Sequence, residues 1–333
     1  MIFSTFNVQR FRLRGAPKRR PGATAATFNV PGQVAACVVA LLSACAAAAQ
    51  TNETFATPQA AVAALAKAVA SKDSTQLHAI FGAALADIRN PDRVQATNEF
   101  NEFAAALDAT NRIVAESDTK CVLEVGVNSW PFPIPLVKSA VGWFFDTASG
   151  KEELLNRRIG RNELDTLSVM RAYVDAQREY ASADRIGDGV LEFAQRLSSS
   201  PGKKDGLYWP PDLDGTLSPL GPLVAEAQGE GYDLSGKGRQ LAPAPFHGYY
   251  FKILTRQGKH APGGKYDYLI NGHMIAGFAM IAWPARYGDS GVMTFIVNQQ
   301  GRVYQKDLGP KTAKLARSIQ RYDPDDSWQI SPD

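Results

Sequence analysis

Cysteine is scarce in this chain, with three in 333 residues. Cys37 and Cys45 lie near the start, so Cys121 stands alone in the rest of the chain and no disulfide can form within that part. Stability there has to come from a buried core. Histidine is nearly as rare. His78, His247, His260 and His273 show no i, i+4 or other close spacing of the kind that marks a metal site. Acidic residues are absent from positions 1–33, and no run is long and apolar enough to span a bilayer. The apolar stretch Val34–Leu42 has nine residues, where a helix needs roughly 20.

What the start does contain is ordered. Arg10, Arg12, Arg14, Lys18, Arg19 and Arg20 come first, then Val34–Leu42, then the small residues Ser43-Ala-Cys-Ala-Ala-Ala-Ala49. A basic region, a short apolar region and small residues in that order predict a signal segment over residues 1–49 and export to the periplasm or cell envelope. Two cleavages fit. Leu42-Ser43-Ala44-Cys45 resembles a lipobox, which would lipidate Cys45 and anchor the chain without a spanning helix. Ala47-Ala48-Ala49 before Gln50 fits ordinary signal peptidase. The chain has 36 Lys+Arg and 33 Asp+Glu. Without the six leading basic residues the balance is 30 against 33, a net charge of −3. A nucleic-acid partner thereby loses its electrostatic argument. The remaining residues, about 284, are enough for two domains.

Helical spacing opens that part. Thr57-Pro58 is a cap followed by proline, and Ala61, Val62, Leu65, Ala68 and Val69 recur on one face. A short helix around Leu77, Ile80 and Phe81 comes next, then a third from Asp92 to Asp108. Cys121–Val127 and Val137–Asp146 read as strands, separated by Pro131, Pro133 and Pro135. Residues 50–149 are expected to form an α+β unit. From Gly150 to about Ala181 the pattern is one long helix, with a candidate bend at Gly160. Residues 198–245 read as irregular loop. Tyr249–Leu254, Tyr266–Ile270, Met274–Trp283, Val292–Val297 and Val303–Lys306 predict an antiparallel meander, with Asn271-Gly272 as a type I′ turn. A helix over Lys311–Arg321 and a returning Trp328 close the 150–333 unit.

Several strings resemble catalytic or binding motifs. Asp212-Leu-Asp-Gly-Thr-Leu217 has the letters of an aspartate-nucleophile phosphatase, but Pro210 and Pro211 stand where a central strand would end. Gly231–Gly238 nearly spells a P-loop, with Gly238 in place of the magnesium-binding hydroxyl. Asp184, Asp188 and Glu192 fall at positions 1, 5 and 9 of a calcium loop whose positions 3 and 12 are Ile186 and Gln195. A hydrolase would draw on His247, His273 and Asp267, and Cys121 is a lone thiol in an apolar strand. The charges from Glu152 to Glu163 read as a solvated helix face or, more sharply, as a buried ion network between the two units. Tyr249, Tyr250, Trp283 and Tyr287 are either core or exposed binding aromatics. No cofactor is expected.

Trp130-Pro-Phe-Pro-Ile-Pro-Leu136, Gly150–Leu164, Phe246–Leu254, Gly291–Asn298 and Val303–Gly309 resemble the exported bacterial domain-of-unknown-function family 2950 from about residue 55 to the end. That resemblance implies export and supplies no activity and no catalytic residues. Asn162-Glu163, Met170–Gln177, Tyr180 and the later aromatic strands are similar to pilin and pseudopilin headpieces, without their apolar anchor helix. The expectation is an α+β protein: a helical unit with a small sheet, then a long helix packed on a pilin-like antiparallel β-meander. Its expected role is non-catalytic binding or scaffolding of envelope proteins. The alternatives are an envelope hydrolase and a pilin-like filament-associated subunit.

Overall fold

The computed structural model describes residues 52–211, 215–232 and 245–332. The leader with Cys45, the carboxylates Asp212 and Asp214, and residues 233–238 of the P-loop-like string lie outside them. Ala48–Asp333 packs as one unit.

Helix α1 (Pro58–Ala70) starts where Thr57 Oγ1 accepts from the amide of Ala60 at 3.1 Å, with proline in the first turn. Its buried face is Ala61, Val62, Leu65, Ala68 and Val69, the spacing that predicts it. Asp73 caps α2 (Ser74–Phe81) and Asp92 caps α3 (Arg93–Ala109), each accepting two backbone amides. These helices cover an antiparallel sheet of β1 (Asn111–Ser117), β2 (Lys120–Val125), β3 (Trp130–Pro131), β4 (Leu136–Ser139) and β5 (Gly142–Phe145), in the order β1-β2-β4-β5 with β3 beside β2. The prolines keep β3 to two residues, yet the segment is core. Phe132 packs against Phe81, Phe103 and Phe145, and Ile134 is buried.

One strand expectation needs correction here, and one strand was not expected. Val137–Asp146 is divided by a hairpin turn at Ala140-Val141, with Ser139 paired to Gly142. β1 carries no strong apolar alternation and is fixed by its pairing with β2.

Asp146 caps helix α4 (Thr147–Tyr180), 34 residues that continue through Gly160. Gly150 is required: a Cβ there would lie 2.7 Å from Ile134 Cα, so only glycine lets helix and proline segment touch. α4 then packs on the C-terminal sheet. Tyr173 donates to the Ala279 carbonyl at 3.1 Å, and Glu163 accepts the amides of Val292 and Met293. The irregular stretch after it contains α5 (Gly221–Gly229) and buries Leu207, Tyr208 and Trp209 in the same core.

The larger sheet begins with β6 (Tyr249–Leu254). Two small ribbons come next: β7 (Arg256–Gln257) with β8 (Tyr266–Asp267), and β9 (Leu269–Ile270) with β10 (His273–Met274). Then come β11 (Ala279–Pro284), β12 (Met293–Asn298), β13 (Tyr304–Asp307) and β14 (Gln329–Ile330), in the order β14-β13-β12-β11-β6. All pairs are antiparallel. The predicted Met274–Trp283 strand is therefore divided, since Met274 pairs with Leu269 while β11 pairs with β6. Asn271 (φ +53°) and Gly272 (φ +90°) form the tight turn that joins β9 to β10. α6 (Thr312–Ser318) is shorter than predicted, and Trp328 packs against the core. The fold is α+β with antiparallel sheets. No helix among the described residues is long and apolar enough to cross a membrane.

Candidate functional site

Two histidine–carboxylate clusters stand out; the sequence marks Asp188 and Glu192 of the first as calcium-loop positions but joins neither cluster to its histidine. The first joins the loop after α4 to the β9–β10 turn. His273 Nδ1 lies 3.5 Å from Asp188 Oδ2 and 3.4 Å from Glu192 Oε2. The three ligand-type atoms all lie within 4.8 Å of one another. Glu192 is only 8 % exposed and accepts the Met274 amide at 3.2 Å. Asp184, at the first position of the calcium-like loop, does not join them. Its carboxylate accepts the amides of Gly187 and Gly189 at 2.7 and 2.8 Å. The Gly189 and Gly187 amides hold its pKa below the ordinary aspartate value. It thus shapes the loop that carries Asp188. Two more bonds tie loop to turn: Gln195 Nε2 to the Gly272 carbonyl at 2.7 Å and the Phe193 amide to the Met274 carbonyl at 2.8 Å.

The second cluster surrounds His247, a non-glycine residue at φ +47°. Its Nδ1 faces Asp165 at 3.5 Å and its Nε2 faces Glu230 at 3.3 Å. The ring also lies against Phe246 and Tyr232. Burial pushes the Asp165 and Glu230 carboxyls up, while His247 opposes the shift in both. Tyr232 donates to Asp92 at 2.8 Å, and its hydroxyl is pushed far above the ordinary range by burial and by the Asp92 charge.

The structure thus separates the three residues of the hydrolase expectation. Each histidine has its own carboxylates, and Asp267 pairs with Arg256 at 3.6 Å on the surface. His260 pairs with Asp323 at 3.1 Å, and His78 is exposed. Cys121 is buried in β2, and burial followed by the Glu116 charge raises its thiol pKa, the opposite of an activated nucleophile. Of the aromatics weighed as binding groups, Tyr249 and Trp283 are core, and Tyr250 and Tyr287 are partly buried. Tyr208–Pro211 contains an isolated bridge in place of the buried strand a phosphatase would need.

The charged stretch of α4 divides: Glu152, Glu153 and Arg161 are exposed on a solvated face, with Glu153 pairing to Arg157, whereas Arg158 enters a buried network. Arg158 binds Asp289 and the Ile88 carbonyl, at 2.5 and 2.6 Å. Asn162, fully buried, donates to the Ser290 carbonyl at 2.8 Å and accepts from Gln95 at 2.7 Å. Asp92 adds the Gly248 amide at 3.1 Å. The residues that sequence reasoning missed (Gln95, Asp165, Glu230 and Asp289) lie far along the chain from the partners they meet here. Nothing in their local sequence marks them.

No curated protein and no solved structure matches the chain. A family model described as a protein of unknown function, DUF2950, matches residues 52–330. That span takes in both cores, the buried network and both histidine clusters, and the chain belongs to the DUF2950 family.

Proposed function

We propose that this chain is an exported protein of the bacterial cell envelope that binds or scaffolds another envelope component and catalyses no reaction. One observation carries the binding reading. β1 is the end strand of its sheet, seven residues long and mostly exposed, with its outer edge unpaired among the described residues. An open edge offers backbone donors and acceptors to an added strand. Arg112 and Glu116 on that strand, and the register shift between Ala115 and Ser117, discourage a second copy from stacking there. Export rests on the basic, apolar and small-residue order of positions 1–49.

Against His247 as a general base stands the carboxylate that faces each of its ring nitrogens, at 3.5 and 3.3 Å. A general base needs one nitrogen free to take a proton from substrate. The test is cell fractionation combined with crosslinking from a photoreactive residue at position 114, followed by mass spectrometry. The expected result is an envelope fraction and one recurring envelope protein attached through β1. A cytoplasmic location, or a monomer that captures nothing, overturns the reading.

A further inference from the structure

We propose that Asp188, Glu192 and His273 bind one divalent transition-metal ion of the zinc class. The site is independent of the β1 edge and of the reading built on it.

The first argument is spacing. Metal–ligand distances for nitrogen and carboxylate oxygen around zinc are about 2.0–2.2 Å, which places neighbouring ligands of a tetrahedron about 3.4 Å apart. His273 Nδ1 sits 3.5 Å from Asp188 Oδ2 and 3.4 Å from Glu192 Oε2. Two of the three separations thus match a shared ion, and the third, between the carboxylates, lies within 4.8 Å.

The second is burial. Glu192 is 8 % exposed. Its one basic partner within 4 Å among the described residues is His273, supplemented by the Met274 amide. A carboxylate removed from water requires a compensating positive charge, and an ion between the three groups supplies it.

The third is preorganisation. The Val190 amide binds Asp188 Oδ1 at 3.0 Å, leaving Oδ2 as the oxygen turned to His273. Asp184 stiffens the loop through Gly187 and Gly189, and Gln195 fastens it to the turn ahead of His273. Such outer contacts orient ligands and raise affinity. His273 and Asp188 stay about one-third exposed, so the ion has a path in and room for water at its remaining positions.

The ligand set decides the ion. Calcium takes 6–8 oxygens. Here Ile186 brings none, Gln195 replaces the bidentate carboxylate of the twelfth position with a neutral amide, and an imidazole occupies the centre. Imidazole with carboxylate suits zinc and its first-row neighbours.

The experiment is calorimetric titration of the chelator-stripped full chain with zinc, repeated with calcium, and cobalt absorption as a reporter of coordination. The expected result is one zinc per chain, no competition from an equal concentration of calcium, and a cobalt spectrum of low coordination number. His273→Gln and Asp188→Asn, both at partly exposed positions, should each weaken zinc by at least about 10-fold with unchanged circular dichroism. His260→Gln should leave affinity unchanged. Absence of stoichiometric zinc binding overturns the proposal, as does binding insensitive to His273→Gln and Asp188→Asn. Preferential calcium binding that Asp188→Asn removes overturns the assignment of ion class.

Discussion

Arg158 and Asp289, 131 positions apart, form a buried ion pair at 2.5 Å, with side chains 7 % and 10 % exposed. The guanidinium also donates to the Ile88 carbonyl, so one side chain on α4 holds the segment between α2 and α3 and the loop before β12. Removing it leaves a buried carboxylate served by Arg286 alone, at 2.8 Å. Arg158→Met should cost about 3 kcal/mol in urea unfolding. The double variant with Asp289→Leu should recover part of that loss. An unchanged midpoint for Arg158→Met would show that the pair contributes nothing to this packing.

Four positions along the same helix face, Asn162 gives a second hold. Its Nδ2 would lie 2.5 Å from a Cβ at position 248, where Gly248 has φ +74°. Gly248→Ala therefore meets both a clash and left-handed backbone, and should destabilise by roughly 2–4 kcal/mol. Asn162→Ala alone orphans the Gln95 amide and the Ser290 carbonyl and should cost about 2 kcal/mol. Thermal unfolding of the two variants orders them. A milder loss for Gly248→Ala than for Asn162→Ala would refute the close approach.

The cluster around His247 sets a pH dependence. Asp165 and Glu230 hold their protons more tightly folded than unfolded, because burial raises both. As pH rises from the unfolded carboxylate value, about 4, through the raised folded values, the unfolded chain releases these protons first. Their contribution to stability is full below that window and is lost across it. The stability of the natural chain relative to Asp165→Asn should therefore decline as pH rises above the unfolded carboxylate value of about 4. Parallel curves in denaturant unfolding over that range, or a rising difference, would contradict the assignment.

The turn before His273 is equally testable. Gly272 at φ +90° closes β9 onto β10, and alanine there should strain the backbone by about 1–2 kcal/mol. Amide exchange should quicken at Met274, whose amide binds Glu192. Unaltered exchange would mean that the turn does not hold that contact.

Cys121 offers a labelling check. With its thiol buried and its pKa raised, alkylation in the native state should run at least about 100-fold slower than in urea, read by peptide mass spectrometry. Rapid native labelling would show that β2 opens readily.

Much of this protein is local and was legible in the residues. The cap at Thr57, the start of α3 at Asp92, the apolar face of α1, the long α4 and the Asn271-Gly272 turn each follow from contacts within a few positions, which spacing and side-chain chemistry dictate by themselves. The α+β class and the antiparallel order of the later strands come from the same local signals. The sites do not. Whether Glu192 is a loop end or a buried ligand depends on where His273 arrives 81 positions later, and whether Arg158 is solvated or buried depends on Asp289. β1 is a strand because β2 pairs with it, and Gly150 is indispensable because Ile134 crosses it. Periodicity reports which face of an element turns inward. Only the packed chain brings distant charges to within 4 Å and removes the water that would otherwise screen them.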